Sequence, residues 1–100
     1  SYDMAQRNLE IVKDQLDLQK TQLLYVYQNA LENYETQKEN VSVAGRVYQS
    51  IQNKYKHGAA SSLDLTQANG NYLTAESNYY TSILTLLQAQ TSLDKLYNKL

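Results

Sequence analysis

The second half of the chain carries an unbroken heptad repeat of leucine and tyrosine. Every seventh position from residue 65 onward is one of these two residues: Leu65, Tyr72, Tyr79, Leu86, Leu93 and Leu100. The companion positions are mostly small: Ala68, Ala75, Ser82, Ala89 and Leu96. A seven-residue apolar repeat is typical of helices that pack along a narrow seam, and small companions allow a close approach. The sequence therefore predicts one helix over residues 62–100.

The first half of the chain repeats the same period. One series, interrupted at position 37, is Tyr2, Leu9, Leu16, Leu23, Ala30, Ala44 and Ile51; the series beside it is Tyr27, Tyr34, Val41, Tyr48 and Tyr55. Because the chain contains no proline to end a helix, this pattern predicts a second helix over residues 2–57. At 1.5 Å per residue the two helices would be roughly 85 and 60 Å long.

A stop signal and a start signal stand together between the two helices. Lys54 and Lys56 suit the negative end of a helix dipole, and Gly58 can adopt the left-handed conformation that closes a helix. Ser61 and Asp64 have the spacing of a capping box. We therefore predict a turn at residues 58–61 and an all-α fold of two long antiparallel helices, a coiled-coil hairpin that forms a single domain over residues 1–100.

Two glycines interrupt the predicted helices. Gly45 and Gly70 each cost about 1 kcal/mol relative to alanine in a helix interior. Either they allow close approach between helix backbones, or they are tolerated without a packing role.

The second helix carries another apolar stripe outside its seam. Its members are again seven apart, with two adjoining residues: Leu73, Tyr80 and Leu87, then Ile83 and Tyr97. The combined apolar arc is about 150°, wider than the ~100° that one neighbouring helix covers. The first helix would also overhang its partner by about fifteen residues. We therefore expect lateral association, self-association of this chain in isolation, and an origin as an internal piece excised from a larger protein.

Composition excludes several classes of function. A net charge of −1 with interspersed signs provides no basic surface for nucleic acid or anionic lipid. The longest wholly apolar run, residues 23–27, is far shorter than the roughly 20 residues that span a bilayer. His57 is expected to be a helix-end cation, since the chain has no other His or Cys to complete a metal site. No catalytic constellation is present, so we expect neither an enzyme nor a cofactor or metal site.

The turn and its flanks resemble a known family. The residues that carry the resemblance are Tyr55, Lys56, His57, Gly58, Ser62, Leu63, Asp64, Leu65, Ala68, Tyr72, Ala75, Tyr79, Ala89 and Leu93. They are similar to the second hairpin repeat of the outer-membrane efflux protein (TolC) family. The resemblance implies a homotrimer at the outer membrane with a twelve-helix α-barrel in the periplasm. This chain would be a segment of that barrel, a passive conduit for drugs or other exported molecules.

The resemblance also implies roles for the residues at the turn. The tip would contact a periplasmic adaptor (membrane fusion) protein, which couples the tunnel indirectly to an inner-membrane transporter. The implied contact residues are Gly58, Ala59, Ala60 and Ser61.

Entrance and gate residues follow from the same resemblance. Asp64 matches an aspartate that forms a constricting ring in family members, and Tyr55 matches the tyrosine of a gating pair. Two positions depart from the family: Gln67 stands in place of a second aspartate, and Ala60 in place of the gating arginine.

Two alternative functions remain open from the sequence. The chain could be the hairpin of a periplasmic adaptor, although it lacks the Arg, Leu and Ser arrangement at the tip of such hairpins. It could also be a structural coiled-coil module that dimerises into a four-helix bundle. That last hypothesis requires both apolar stripes to share one compact core.

Overall fold

Two helices account for nearly all of the chain. The computed structural model describes the backbone of residues 2–99 and the side chains of residues 2–98. Helix α1 spans Tyr2–Lys56, and helix α2 spans Ser62–Lys99. No strand occurs in residues 2–99. The prediction of an all-α antiparallel hairpin is therefore confirmed; α1 ends one residue before His57, and Leu100 lies outside the described residues.

The hairpin is a thin rod. Its principal extents are 85 × 16 × 15 Å, and the long axis agrees with the length expected for the first helix. Its accessible surface is 7824 Å², whereas a compact monomer of this mass, 11.5 kDa, exposes about 5,800 Å². The two helices therefore bury much less surface than a globular domain of the same size.

The helices meet along the predicted heptad positions, which we call the inner seam. The residues that it buries are Ala30, Ala68, Ser82, Ala89, Leu93 and Leu96. Ser82 is only 1% exposed, and its hydroxyl donates a 2.6 Å hydrogen bond to the carbonyl oxygen of Tyr79. Most of these buried residues are small, as expected for helices that approach closely.

Tyrosines fill the middle of the inner seam and the part nearer the turn. The rings of Tyr34 and Tyr79 stack with centroids 5.7 Å apart, and those of Tyr48 and Tyr72 lie 5.9 Å apart. Gly45 faces the ring of Tyr72, because a Cβ added at this glycine would lie 2.7 Å from Cε2 of that ring. Gly45 therefore has a packing role, but it makes room for a side chain of α2 and not for the backbone of that helix.

The N-terminal part of α1 extends beyond α2. Every residue from 2 to 15 is exposed, and Leu9 keeps 70% of its surface accessible. Near the end of the paired region, the ammonium of Lys20 lies 5.4 Å from the centroid of the Tyr97 ring. The overhang expected from the unequal helix lengths is present.

Candidate functional site

Helix α1 ends in a defined C-terminal cap at the tip of the hairpin. Gly58 has a φ of +77°, the left-handed conformation expected from the sequence. Its N–H donates to the carbonyl of Tyr55 at 3.1 Å, and the N–H of Ala59 donates to the carbonyl of Lys54 at 2.7 Å. This pair of hydrogen bonds is a Schellman motif. His57 adds a third bond, since its Nδ1 lies 2.7 Å from the carbonyl of Asn53 and donates to it.

Helix α2 begins with the reciprocal capping box that the sequence predicts. The N–H of Ser61 donates to Oδ2 of Asp64 at 3.1 Å, and the N–H of Asp64 donates to Oγ of Ser61 at the same distance. The carbonyl of Ser61 also accepts the N–H of Leu65 at 3.1 Å. Capping bonds thus hold both sides of the turn, and the tip has a fixed shape that does not depend on a hydrophobic core.

The predicted tip and gate residues are mostly at the surface. Gly58, Ala59 and Ser61 are exposed, whereas Ala60 is half-buried. The predicted gate residues, Tyr55, Asp64 and Gln67, are all exposed. No hydrogen bond among the described residues joins Tyr55 to Asp64 or Gln67. The hydrogen bonds formed between predicted site residues are those of Gly58 with Tyr55 and of Asp64 with Ser61.

The second apolar stripe of α2 is uncovered at Leu73, Tyr80 and Leu87, whereas Ile83, which was predicted to adjoin it, is half-buried. We call this stripe the outer seam; with the residues between its large members it consists of Gly70, Leu73, Ser77, Tyr80, Leu84 and Leu87. All six residues are exposed, and each of the four large side chains keeps more than half of its surface accessible. The spacing alternates between three and four residues, which is the spacing of a helix-packing seam.

Gly70 belongs to this outer seam and differs from Gly45. A Cβ added at Gly70 would meet no atom within 4 Å, so this glycine serves no close contact between α1 and α2. The expectation that Gly70 allows the two helices to approach closely is therefore not met within the hairpin.

One broad side of the hairpin is free of charge along most of its length, and the sequence analysis did not distinguish this side from the opposite one. We call the uncharged side the neutral face. A heptad series is a set of residues seven positions apart. On α1 the neutral face consists of two such series, one that contains Val26 and one that contains Asn29. On α2 it consists of the series that contains Asn78 and the series that contains Thr81. Every member from 5 to 50 on α1 and from 67 to 92 on α2 is exposed and uncharged. Asn, Gln, Ser, Thr and Val make up nearly all of it.

A shallow groove demonstrates that these four series share one side of the hairpin. Gln19, Gln22 and Val26 of α1 line it together with Ser92 and Lys95 of α2. These five residues include a member of each series. Among side chains 2–98, charged residues occur in these series only at the ends of the face, near the turn and at Lys95.

The opposite broad side carries charge and is called the charged face. Another groove there is lined by Ser42, Gly45, Arg46 and Gln49 of α1 with Tyr72 of α2. The two α1 series that contain Ser42 and Gly45 carry eight of the fourteen charged residues of this helix: Asp3, Arg7, Glu10, Asp14, Asp17, Glu35, Lys38 and Lys56. The signal was present in the sequence, but it appears only when residues are sorted by their position around the inner seam.

One tyrosine of the inner seam has an altered pKa. A hydrogen bond with Tyr34 is the main cause that raises the pKa of Tyr79 above 10.0, followed by burial and by the proximity of Tyr34 and Tyr80. The rings of Tyr79 and Tyr80 are 5.9 Å apart. The three phenols form a contiguous cluster from the inner seam to the outer seam.

Residues 2–99 contain no helix that is both long and apolar enough to cross a membrane. Within the same range, no three His, Cys, Asp or Glu residues are grouped so that they could hold a metal ion.

Comparison with known sequences identifies one family. The sequence model described as outer membrane efflux protein matches residues 1–99, which include both helices and the turn. Searches among curated proteins and among solved structures gave no match.

Proposed function

Since the chain belongs to the outer membrane efflux protein family, we propose that it forms one segment of the periplasmic tunnel of an efflux channel. The family is one of transport channels and not of enzymes, so the chain contributes to a passage and catalyses no reaction. In this proposal the hairpin stands beside other hairpins around a central conduit. Drugs or other exported molecules pass through the conduit without chemical change.

The outer seam is the observation that carries this proposal. Leu73, Tyr80 and Leu87 are 57%, 58% and 52% exposed, although burial of each would stabilise the protein by roughly 1.5–3 kcal/mol. They lie on α2 away from α1, so no rearrangement within the hairpin covers them. A neighbouring helix on that edge would cover them, and a closed ring supplies such a neighbour to every hairpin.

Gly70 and Ser77 strengthen the case for a helix as that neighbour. The inner seam alternates large residues with small ones, and the outer seam repeats this alternation around Leu73 and Tyr80. Open space beside Gly70 would admit the backbone or a large side chain of a second helix. We therefore propose that the complete protein is a homotrimer in which neighbouring hairpins pack on this edge.

For the tip we propose contact with a periplasmic adaptor protein. The Schellman motif and the capping box give residues 58–61 a fixed shape, which lowers the entropy lost when a partner binds. Gly58 and Ala59 carry no large side chain, so a partner can approach the backbone closely. The adaptor would connect the tunnel to an inner-membrane transporter, and this segment would lie in the periplasm.

Asp64, Gln67 and Tyr55 are proposed to form the entrance. Asp64 and Gln67 are three residues apart on α2 and both are exposed, so they lie on the same side of the helix. One carboxylate oxygen of Asp64 accepts the Ser61 N–H, which fixes the position of the negative charge near the mouth. Repetition of this charge by the symmetry of a trimer would favour cations at the entrance.

The outer seam can be tested by a charged substitution in the complete protein. Tyr80→Lys should convert trimers into smaller species, because it places an ammonium within an apolar contact. Gln90→Lys introduces the same charge at an exposed position on the same helix, away from the outer seam, and should leave the trimer intact. Size-exclusion chromatography with light scattering measures both. A fully trimeric Tyr80→Lys protein would refute the proposed packing.

The entrance can be tested separately. Asp64→Asn removes the charge but keeps an oxygen that can cap Ser61, so the tip should remain folded. In single-channel recordings of the complete protein we expect weaker cation preference and weaker block by multivalent cations. Unchanged selectivity would show that Asp64 acts only as a helix cap.

The two alternative functions are less well supported. Membership of the efflux family favours the channel over an adaptor hairpin. A dimeric coiled-coil module requires both apolar stripes in one core, yet the outer seam lies exposed on the edge of α2 away from α1. A stable dimer of the complete protein in the light-scattering experiment would support the coiled-coil module against the channel.

A further inference from the structure

We infer that the neutral face lines the passage and that the charged face points to the surrounding water. This inference rests on the proposed tunnel function. The wall of the body of the tunnel would then present only amides, hydroxyls and small apolar groups to a passing solute. On α2 this lining runs for about 40 Å without a fixed charge. The inference extends the proposed function by assigning the two broad faces and by naming the solutes that the wall admits.

The positions of the two seams leave the broad faces free. The inner seam joins α2 to α1 at one edge of the helix, and the outer seam requires a neighbour at another edge. Between these edges lie the neutral face on one side and the charged face on the other. In a ring of side-by-side helices, one of these two faces must point inward and the other outward.

Electrostatics decides between the two orientations. In a symmetric assembly each charge on the inner wall is repeated around the passage, and the copies face one another at short range. The like charges of such a ring repel one another and retain counterions, and this arrangement impedes the passage of charged solutes of either sign. On the outer surface the same charges are screened by salt and maintain solubility. The face with Arg7, Asp14 and Glu35 therefore suits the outside.

Two hydroxyl groups of the neutral face are already paired within the helix. Thr85 Oγ1 donates to the carbonyl of Thr81 at 3.0 Å, and Ser92 Oγ donates to that of Gln88 at 3.0 Å. Their donors are used internally, so they offer water only an acceptor lone pair. At these two positions the wall would accept hydrogen bonds from water and bind a passing solute weakly.

Solute selection by charge is then restricted to the ends of the wall. Asp64 and Lys54 limit the neutral face at the turn, and Lys95 limits it at the other end. Between them, neutral, cationic and anionic amphipathic molecules meet the same surface. The body of the tunnel would discriminate by size, and the mouth by charge.

A matched pair of positions on α1 tests the assignment. Asn40 lies on the neutral face and Ser42 on the charged face, only two residues apart, and both are exposed. In bilayer recordings of the complete protein, Asn40→Asp and Asn40→Lys should shift the cation-to-anion permeability ratio severalfold in opposite directions. Ser42→Asp and Ser42→Lys should leave this ratio within error of the parent. The reverse pattern, or no shift at Asn40 in a conducting channel, would overturn the inference.

Thiol labelling provides a measurement that does not need conductance. Asn40→Cys and Ser42→Cys would be made in a cysteine-free version of the complete protein in permeabilised cells. A small maleimide should label both cysteines. A 5-kDa polyethylene glycol maleimide should label only Ser42→Cys on the outer surface, because it is too large to enter the tunnel and reach Asn40→Cys.

The labelling outcomes separate this inference from the proposed function. Exclusion of the large reagent from Ser42→Cys alone would reverse the orientation and leave the tunnel intact. Protection of Asn40→Cys from both reagents would show that another chain covers the neutral face. Equal access of the large reagent to both positions would contradict the tunnel itself.

Discussion

The inner seam is packed differently in its two halves. In the half remote from the turn, it buries Ala30, Ser82, Ala89, Leu93 and Leu96. In the half near the turn, Ala68 is the only buried residue among those described. There, Tyr48 and Tyr72 are half-exposed, and the groove beside Gly45 remains open.

The difference follows from side-chain size. Alanine and leucine at facing positions interdigitate and close the seam, whereas a tyrosine carries a hydroxyl that needs a partner or water and keeps part of the ring at the surface. The near half compensates with capping bonds at the turn. The remote half should therefore depend on apolar burial, and the near half on backbone geometry and caps.

Leu93→Ala should have the largest effect because it removes a buried side chain from the remote half. We expect a loss of about 2–4 kcal/mol in the free energy of unfolding, measured by urea denaturation with circular dichroism. Val41→Ala in the near half, where the side chain is only half-buried, should cost about 1 kcal/mol or less. Equal losses would show that the two halves are packed alike.

The two helical glycines give the next comparison. Gly45→Ala places a Cβ 2.7 Å from the Tyr72 ring, which must move, so we expect a net loss of about 1–2 kcal/mol despite the better helix propensity. Gly70→Ala meets no atom in the hairpin and should stabilise the isolated chain by about 1 kcal/mol. Thermal unfolding of both variants tests these opposite signs.

In the complete protein, Gly70→Ala has a further use. If a neighbouring helix packs on the outer seam, the added methyl group should destabilise the trimer although it stabilises the hairpin. Stabilisation in both states would indicate that nothing approaches Gly70.

Ser61→Ala tests how far the near half depends on its caps. Loss of the Ser61 hydroxyl leaves the Asp64 N–H without its partner and should cost about 1 kcal/mol. Ser62→Ala at the first residue of α2 is the control, and should change stability little. Hydrogen exchange should show faster opening near the turn in Ser61→Ala, with the remote half unchanged; uniform acceleration would argue against separate behaviour of the halves.

The tyrosine pair between the two halves gives the smallest effect. The pKa of Tyr79 is raised, so the folded hairpin holds this proton more tightly than the unfolded chain. The resulting stability is present below pH 10.0 and is lost as the pH rises through the raised pKa. Tyr34→Phe removes the hydrogen bond that is the main cause, and should lower the pKa of Tyr79 toward 10.0. Ultraviolet titration of the phenols measures the shift, with Tyr48→Phe as the control.

Local patterns of the sequence predicted much of the fold. The heptad series identified the inner seam, and Gly58, Ser61 and Asp64 identified the turn, because helix caps depend on residues within one helical turn of each other. The overhang followed from the unequal helix lengths. The site residues proposed from the family resemblance lie at or near the tip, and their roles in adaptor contact and at the entrance stay predictions.

The sequence by itself determined that this chain forms two helices, where they reverse, and which residues lie between them, since these properties depend on periodicity and near neighbours. Only the tertiary structure distinguished Gly45 from Gly70, because that distinction depends on the distance to a residue on the other helix. It also revealed the neutral and charged faces. The side chains of each face are scattered along the sequence, and they come together only after packing fixes the rotation of each helix about its own axis.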